Sequence, residues 1–228
     1  ILLLAGGFML SAAVESSGAH RRLALWMLRL TGGGSGRRIL FGFVLATAML
    51  SMWISNAATT LLMIPVALAV LERYPDPRLA APLILGIAYA ASFGGLGTPI
   101  GTPPNLIFRS VYEDTTGQEI SFVDWFAFGI PIVLASIPLL VLWLGRNLRD
   151  APAAPLPDLP TMSAGERRVL CIFGIVALLW IFRTDPFGGW REWLGLRGAS
   201  DASVALLGAL AMALCPNGKG GRLLSGDA

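Results

Sequence analysis

Two short clusters of small polar residues interrupt long apolar stretches of this sequence. The first holds Ser51, Ser55 and Asn56, and the second holds Gly101 and Thr102. Hydroxyl, amide and backbone carbonyl oxygens bind hard cations, and the first N–H groups of a helix attract anions. Ser51 lies one turn before Ser55, so both hydroxyls would share one helix face. The alternative is that Ser55 or Asn56 only caps a helix.

The composition indicates that the bilayer surrounds these clusters. Hydrophobic residues make up 55% of the 228 residues, charged residues only 14%, and the mean hydropathy is +0.69, values outside the range of soluble domains. The arginines fall in short loops between apolar runs, where they indicate topology and not nucleic-acid binding. Because apolar sequence begins at Ile1 without an initiator Met, we expect a piece of a longer protein.

The block Ile39 to Leu71 predicts a re-entrant helical hairpin. It holds 33 residues without a charge, too many for one span of about 20 residues and too few for two spans with a turn. Two helices of about 22 Å fit, with Ser55, Asn56 and Ala57 at the turn between them. Non-helical backbone at that depth is tolerated only where it is buried in protein or lines a wet cavity.

The next apolar block predicts a discontinuous helix. Positions 94–105 contain three prolines and four glycines in twelve residues, which cannot continue a helix. We expect one arm over 79–93 and a second over 105–111, with Gly101 and Thr102 in the break and backbone N–H groups at the start of the second arm directed inward. A glycine-rich kink that only lets helices pack closely is the alternative.

The positive residues predict the orientation. If the hairpin begins and ends on one side, loops on that side carry 13 Lys and Arg residues and the opposite loops carry 4, whereas a single crossing would give 8 against 9. The asymmetry favours a hairpin that opens to the cytoplasm. Segment 20–30 is basic and amphipathic enough to lie along the cytoplasmic surface, and Trp190 and Trp193 would anchor an outer loop.

The two motifs together resemble one transporter family. They are Leu50-Ser51-Met52-Trp53-Ile54-Ser55-Asn56-Ala57-Ala58-Thr59-Thr60 and, some fifty residues later, Ile100-Gly101-Thr102-Pro103-Pro104-Asn105-Leu106-Ile107-Phe108. This pairing is similar to the divalent anion/sodium symporter family, and the similarity extends over nearly the whole chain. The resemblance implies an all-α, polytopic, homodimeric elevator transporter with two inverted repeats, each giving a re-entrant hairpin and a discontinuous helix. Ala57 stands where the usual tip has Thr.

The resemblance also implies a site and a function. It assigns Na+, the coupling ion, to Ser51, Ser55, Asn56 and the Gly101 backbone, and the substrate carboxylate to Ser55, Asn56 and Thr102. The implied function is Na+-coupled symport of small divalent anions such as succinate, malate or fumarate across the cell inner membrane. The alternatives are a sodium-independent anion exchanger or a sulfate or citrate transporter of the same fold, and a gated ion channel. No nucleophile elbow or intramembrane aspartate pair points to an enzyme.

Block boundaries and the resemblance together divide the chain into five segments. These are a scaffold transmembrane helix with an interfacial cytoplasmic helix (1–38), the re-entrant hairpin of a transport domain (39–73), the discontinuous helix and following span of that domain (78–149), a cytoplasmic linker (150–166), and the first two spans of a second repeat (167–228).

Overall fold

The computed structural model of this protein describes residues 2–31, 35–72, 76–148, 161–184, 189–196, 198–218 and 220–224. These residues form ten α-helices and no named strand, so the all-α prediction is confirmed for the described part of the chain. In chain order they are α1 (Leu2–Ser17), α2 (Ala19–Thr31), α3 (Gly36–Ser51), α4 (Asn56–Leu71), α5 (Ala80–Gly94), α6 (Pro103–Thr116), α7 (Phe122–Leu144), α8 (Ala164–Ile181), α9 (Gly189–Trp193) and α10 (Asp201–Leu214). Most of the predicted 150–166 linker lies outside the described residues.

Several of these helices have the length and hydropathy of membrane spans. Two stretches are long and apolar enough to cross a bilayer, Pro77–Gly97 with 21 residues and Phe122–Asn147 with 26. A third is obtained if α1 and α2 form one broken span, and α4 and α10 are apolar but shorter. This set of helices is that of a polytopic membrane protein.

The chain divides into two compact units. The first unit contains the described residues of Ile1–Ala19, Thr98–Phe128 and Thr161–Ala228, and the second unit contains those of His20–Gly97 and Gly129–Pro160. The predicted transport segment 78–149 is therefore shared between the units, because α6 belongs to the first and α5 to the second.

In the second unit, α3 packs along α5, and α4 packs on α5 as well. Glycines on α5 permit the close approach: a Cβ at Gly94 would collide with the backbone of Ala48, and one at Gly86 would lie 2.9 Å from Leu40 Cδ1. Small residues at helix contacts are the usual means of bringing backbones together in membranes. The last turn of α3, which ends at Ser51, is thereby held against α5.

In the first unit, α1 packs against α10 and α8. Glycines again set the separation, since a Cβ at Gly6 would lie 2.6 Å from Ala205 Cβ and one at Gly208 would lie 2.5 Å from Val176 Cγ2. The Phe122 ring stacks on the Trp180 indole with centroids 4.9 Å apart. These contacts form the apolar core of the unit.

Candidate functional site

The turn between α3 and α4 is formed by residues 52–55. α3 ends at Ser51 and α4 begins at Asn56, so each arm has 16 residues, the half-length predicted from the charge-free block. The position of the turn was predicted slightly too late, because Asn56 and Ala57 already belong to α4. Ser55 is the N-cap residue, and its cap starts the helix at the next residue.

Ser51 joins the turn to a third helix. Its side chain is fully buried, and its Oγ lies 2.7 Å from the carbonyl oxygen of Ala91 on α5 and 2.6 Å from Asn56 Oδ1. A hydroxyl has one proton and can donate to only one of these two acceptors. Three oxygens from α3, α4 and α5 therefore converge, and the Ala91 carbonyl also accepts from the Gly95 amide at the end of α5. Such oxygens are of the type that ligates hard cations.

The Asn56 amide can serve two states of this cluster. With its amide nitrogen toward Ser51, it donates to the hydroxyl, which donates in turn to Ala91, and every group is paired without an ion. With Oδ1 toward Ser51, as in this structure, the side chain offers an acceptor oxygen instead. The orientation of this one amide group therefore decides whether Asn56 presents a donor or an acceptor to Ser51.

Ser55 caps α4 as the simpler of the two sequence interpretations predicts. Its Oγ accepts a hydrogen bond from the Ala58 amide at 3.2 Å, and this use of a lone pair leaves the hydroxyl proton available to donate. The first N–H groups of α4 have no intrahelical acceptor, and they point toward the turn. Together with the positive end of the helix dipole, they can stabilise an anion.

Two further hydroxyls lie one turn from the Ser51–Asn56 contact. Thr47 on α3 and Thr59 on α4 are both fully buried, and neither Oγ1 has a hydrogen-bond partner within the described residues. A buried hydroxyl without a partner destabilises the fold by about 1–3 kcal/mol. Each is therefore a polar group that a bound water or ion would satisfy.

Two hydrogen bonds to the Thr98 carbonyl, one from a backbone amide and one from a side chain, stabilise the break between α5 and α6. The Thr98 carbonyl accepts from the Gly101 amide at 3.3 Å and from Asn105 Nδ2 at 2.8 Å. Asn105, on the first turn of α6, is only 4% exposed. Its amide fixes the loop in which Gly101 and Thr102 lie.

The expectation of inward-directed N–H groups at the start of α6 is wrong at its first three residues. Pro103 and Pro104 begin the helix and carry no N–H. The Asn105 amide donates to the Thr102 carbonyl at 3.1 Å. Thr102 is the N-cap residue, but its side chain makes no capping hydrogen bond, so what this end offers a ligand is the Thr102 hydroxyl.

The predicted site residues thus fall into two groups. Ser51, Ser55 and Asn56 lie together at the α3–α4 turn of the second unit, while Gly101 and Thr102 lie in the α5–α6 break, within the first unit. Sequence reasoning missed the Ala91 carbonyl, because a backbone acceptor leaves no signal in residue types. Asn105 and Thr59 lie within the two motifs, but their residue types alone do not indicate these buried positions.

A buried ion-pair network in the first unit was also missed. Asp201, 2% exposed, begins α10 and contacts two arginines: its Oδ2 lies 2.9 Å from Arg109 Nη2 on α6, and its Oδ1 lies 2.8 Å from Arg183 Nε. Arg183, 1% exposed, also contacts Glu119 at 2.8 Å. The Trp180 indole donates to the Asp201 carbonyl at 3.0 Å.

This network involves two of the arginines that were included in the loop counts for predicting orientation. Arg109 and Arg183 were counted as charges of outer loops, yet both are buried and paired with carboxylates. The smaller count for the outer side therefore includes two arginines with a structural role. Asp185 and Arg197, in the loop between α8 and α10, lie outside the described residues.

Apolar spanning helices and two helix breaks lined by hydroxyl, amide and carbonyl groups are typical of one class of protein, the polytopic membrane transporters. Comparison with known proteins agrees. The family model described as "Citrate transporter" matches residues 1–215, and the chain belongs to this transporter family. The resemblance to sodium-coupled anion transporters is confirmed, and the family and the matched relatives are named as transporters and not as enzymes.

Curated relatives carry a more specific name. The sodium-dependent dicarboxylate transporter SdcS of Staphylococcus saprophyticus is 32% identical over an alignment of 238 positions. The alignment covers 95% of this chain and 45% of the relative. The protein of the same name in Staphylococcus aureus is 33% identical over the same shares. The chain therefore spans about half the length of the curated relatives it matches.

Proposed function

We propose that this protein is a Na+-coupled symporter of small divalent anions of the C4-dicarboxylate type, located in the cell inner membrane. The observation that carries the proposal is the position of Ser51 Oγ, which lies 2.6 Å from Asn56 Oδ1 and 2.7 Å from the Ala91 carbonyl oxygen. Oxygen ligands without a carboxylate suit a monovalent hard cation, which transporters hold with backbone carbonyls at helix breaks. The names of the relatives, sodium-dependent dicarboxylate transporters, support this cation as Na+.

The substrate is proposed to bind where α4 begins. Ser55 and Asn56 would meet one carboxylate through the Ser55 hydroxyl and the free N–H groups of the first turn. Thr102 would supply a further hydroxyl, and the Gly101 carbonyl a further cation ligand, as the resemblance implies. A cation bound beside the anion lowers the cost of placing the dianion in a region of low dielectric. Coupling then follows, because each ion strengthens binding of the other.

We further propose that transport occurs by elevator motion in a homodimer, as the resemblance implies. Native mass spectrometry of the purified protein tests the dimer directly, and a monomeric mass would contradict it. Cross-links that trap the protein in two positions of the hairpin relative to the bilayer would test the motion.

Uptake into proteoliposomes tests the function. Radiolabelled succinate should accumulate when an inward Na+ gradient is imposed, and replacement of Na+ by choline should reduce the initial rate at least tenfold. Saturable uptake with trans-stimulation supports a carrier, while a non-saturating conductance would identify a channel. Exchange that proceeds equally without Na+ would contradict symport and support an anion exchanger.

Citrate is the second substrate to be tested, because the family model carries the description of a citrate transporter. A competition series with succinate, malate, fumarate, citrate and sulfate at one Na+ concentration ranks the anions. If citrate or sulfate inhibits succinate uptake at a concentration more than tenfold below that of unlabelled succinate, the dicarboxylate assignment is wrong. The Na+-gradient experiment would still test symport independently of this result.

A further inference from the structure

A groove with a basic rim opens at one end of the second unit. It has a volume of about 760 Å³ and lies between the start of α5 and the end of α7. Arg78 and Arg146 stand at its rim, while Pro82, Leu85 and Trp143 form apolar walls. The groove therefore combines two positive charges with an apolar surface in a single concavity.

The two rim arginines have no ion-pair partner in the part of the chain that the structure describes. The Arg78 and Arg146 side chains are both exposed. The Arg146 guanidinium carbon lies 5.9 Å from the centroid of the Trp143 ring, a cation–π contact that holds the charge beside the wall of the groove.

A third arginine adds to the positive charge. Arg37, at the start of α3, donates from Nε to the Gly145 carbonyl at 2.9 Å and from Nη2 to the Arg146 carbonyl at 3.4 Å. Its guanidinium therefore lies against the same end of α7. Three arginines therefore lie at this end of the unit, and the Asp76 carboxylate, which accepts from the Arg78 backbone amide at 3.0 Å, offsets part of their charge. The balance of these four groups is positive.

The apolar surface continues away from the rim along α7. A second groove of about 520 Å³ shares Trp143 and extends past Leu139 to Ile132 and Phe93. Trp143 and Ile132 are eleven positions apart, which corresponds to about 16 Å of helix. This length matches half of a hydrocarbon core of about 30 Å.

The exposed residues on this face require an apolar environment. Leu139 is 65% exposed, Leu142 is 72% exposed and Trp143 is 57% exposed, on a helix that is long and apolar enough to span the bilayer. Tryptophan near the end of a span is typical of the membrane interface. The arginines at the rim therefore stand at headgroup level, and the groove along α7 stands at the level of acyl chains.

We propose that this groove binds one anionic phospholipid, with the headgroup phosphate between Arg78 and Arg146 and one acyl chain along Trp143, Leu139 and Ile132. The distribution of Lys and Arg predicts that this end faces the cytoplasm, where anionic lipids attract basic residues next to membrane spans. A small soluble anion would fit the rim alone and would leave the apolar wall without a partner. The proposal does not depend on the transported substrate.

Native mass spectrometry with added lipid tests the proposal on the purified protein. Phosphatidylglycerol and phosphatidylcholine with identical acyl chains are titrated against wild type and the double variant Arg78→Gln/Arg146→Gln. Wild type should retain one phosphatidylglycerol at a concentration at least tenfold below that needed for phosphatidylcholine. The double variant should lose this preference and bind both lipids equally.

Two further variants separate charge and acyl contacts. Arg21→Gln/Arg167→Gln removes two exposed arginines that do not line the groove and should keep the preference. Ala135→Phe places a ring in the apolar groove and should weaken phosphatidylglycerol retention about tenfold while the rim stays intact. Melting temperatures in phosphatidylcholine should equal that of wild type, which confirms that the variants are folded.

Three outcomes would overturn the proposal. The preference for phosphatidylglycerol could survive in Arg78→Gln/Arg146→Gln, or it could be lost to the same extent in the control pair. Alternatively, glycerol phosphate at millimolar concentration could displace the lipid from wild type while Ala135→Phe binds lipid normally. The last result would identify a site for a soluble anion.

Discussion

Ser51 Oγ lies 2.6 Å from Asn56 Oδ1, so the last residue of α3 contacts the first residue of α4 across the turn. The same hydroxyl lies 2.7 Å from the Ala91 carbonyl. A single side chain thus connects the two arms of the hairpin with the helix packed beside them. Any change in this contact should alter what binds at the turn.

The first prediction concerns the Ser51 hydroxyl. Ser51→Ala removes one of three converging oxygens, and we expect the Na+ concentration for half-maximal uptake to rise at least tenfold, because a hydrogen-bonding or ligand contact to a charge contributes about 1.5–3 kcal/mol. The measurement is succinate uptake as a function of Na+. Ser92→Ala is the matched control, since Ser92 follows Ala91 and, among the described residues, its exposed hydroxyl bonds only to the Ala88 carbonyl.

Asn56→Ala should have a larger effect in the same assay. It removes both the acceptor and the donor of the amide, and sodium-dependent uptake should be abolished while the protein still inserts in the membrane. Sodium dependence that stays unchanged in this variant would show that the cation binds elsewhere.

The second prediction concerns Ala57. This residue is exposed at the first turn of α4, where the related family has Thr, so Ala57→Thr adds a hydroxyl beside the proposed carboxylate position without a clash. We expect the KM for succinate to fall about tenfold, because a hydrogen bond to a charged group contributes about 1.5–3 kcal/mol. Sodium affinity should change little. Ala57→Val, which has the same shape without the hydroxyl, should not lower KM.

The third prediction concerns the close contact of α3 with α5. In Gly94→Ala the new methyl group would collide with the Ala48 backbone, and overpacking of this kind destabilises a protein by about 1–3 kcal/mol. We expect a lower melting temperature and weaker Na+ activation together, because separation of the helices moves Ser51 from Ala91. Gly174→Ala on α8 has open space around its Cβ and should leave both quantities unchanged or raise the melting temperature slightly.

The fourth prediction concerns the Asp201 ion pairs. Asp201→Asn leaves Arg109 and Arg183 without their shared buried counter-charge, and loss of one partner of such a network costs about 3–5 kcal/mol. Unfolding in detergent should show this loss, and Arg109→Gln in the same chain should recover part of it. Asp114→Asn, an exposed carboxylate on α6, should change stability by less than about 0.5 kcal/mol. If both aspartate variants behave alike, the network does not stabilise the fold.

Helix existence could be predicted well because length and charge are local signals. The absence of charge over 39–71 predicts two half-length arms, and these are α3 and α4. The ends were predicted less well: α6 runs to Thr116 and not to Val111, since its last turn is polar and ends only at Gly117, whose φ is +70°. A hydropathy pattern indicates only the apolar part of a helix. The end of a polar last turn is indicated instead by the glycine that terminates the helix.

Contacts between distant residues could not be predicted in this way. Arg109 and Asp201 are 92 positions apart, and nothing in either local sequence indicates the other. The role of Ala91 is equally hidden, because its carbonyl reaches Ser51 only when Gly94 allows the helices to approach. In both cases tertiary packing, and not local propensity, decides the partner.

The two prolines at the start of α6 have a consequence for the energetics of the helix break. A helix can repair an interruption by extending one residue at a time into the neighbouring loop, but Pro103 and Pro104 disfavour helical conformation in the residue that precedes them and cannot donate to earlier carbonyls. The unwound segment before them is therefore a covalently encoded feature of the chain. A ligand that bound there, as proposed, would not have to unwind a helix first.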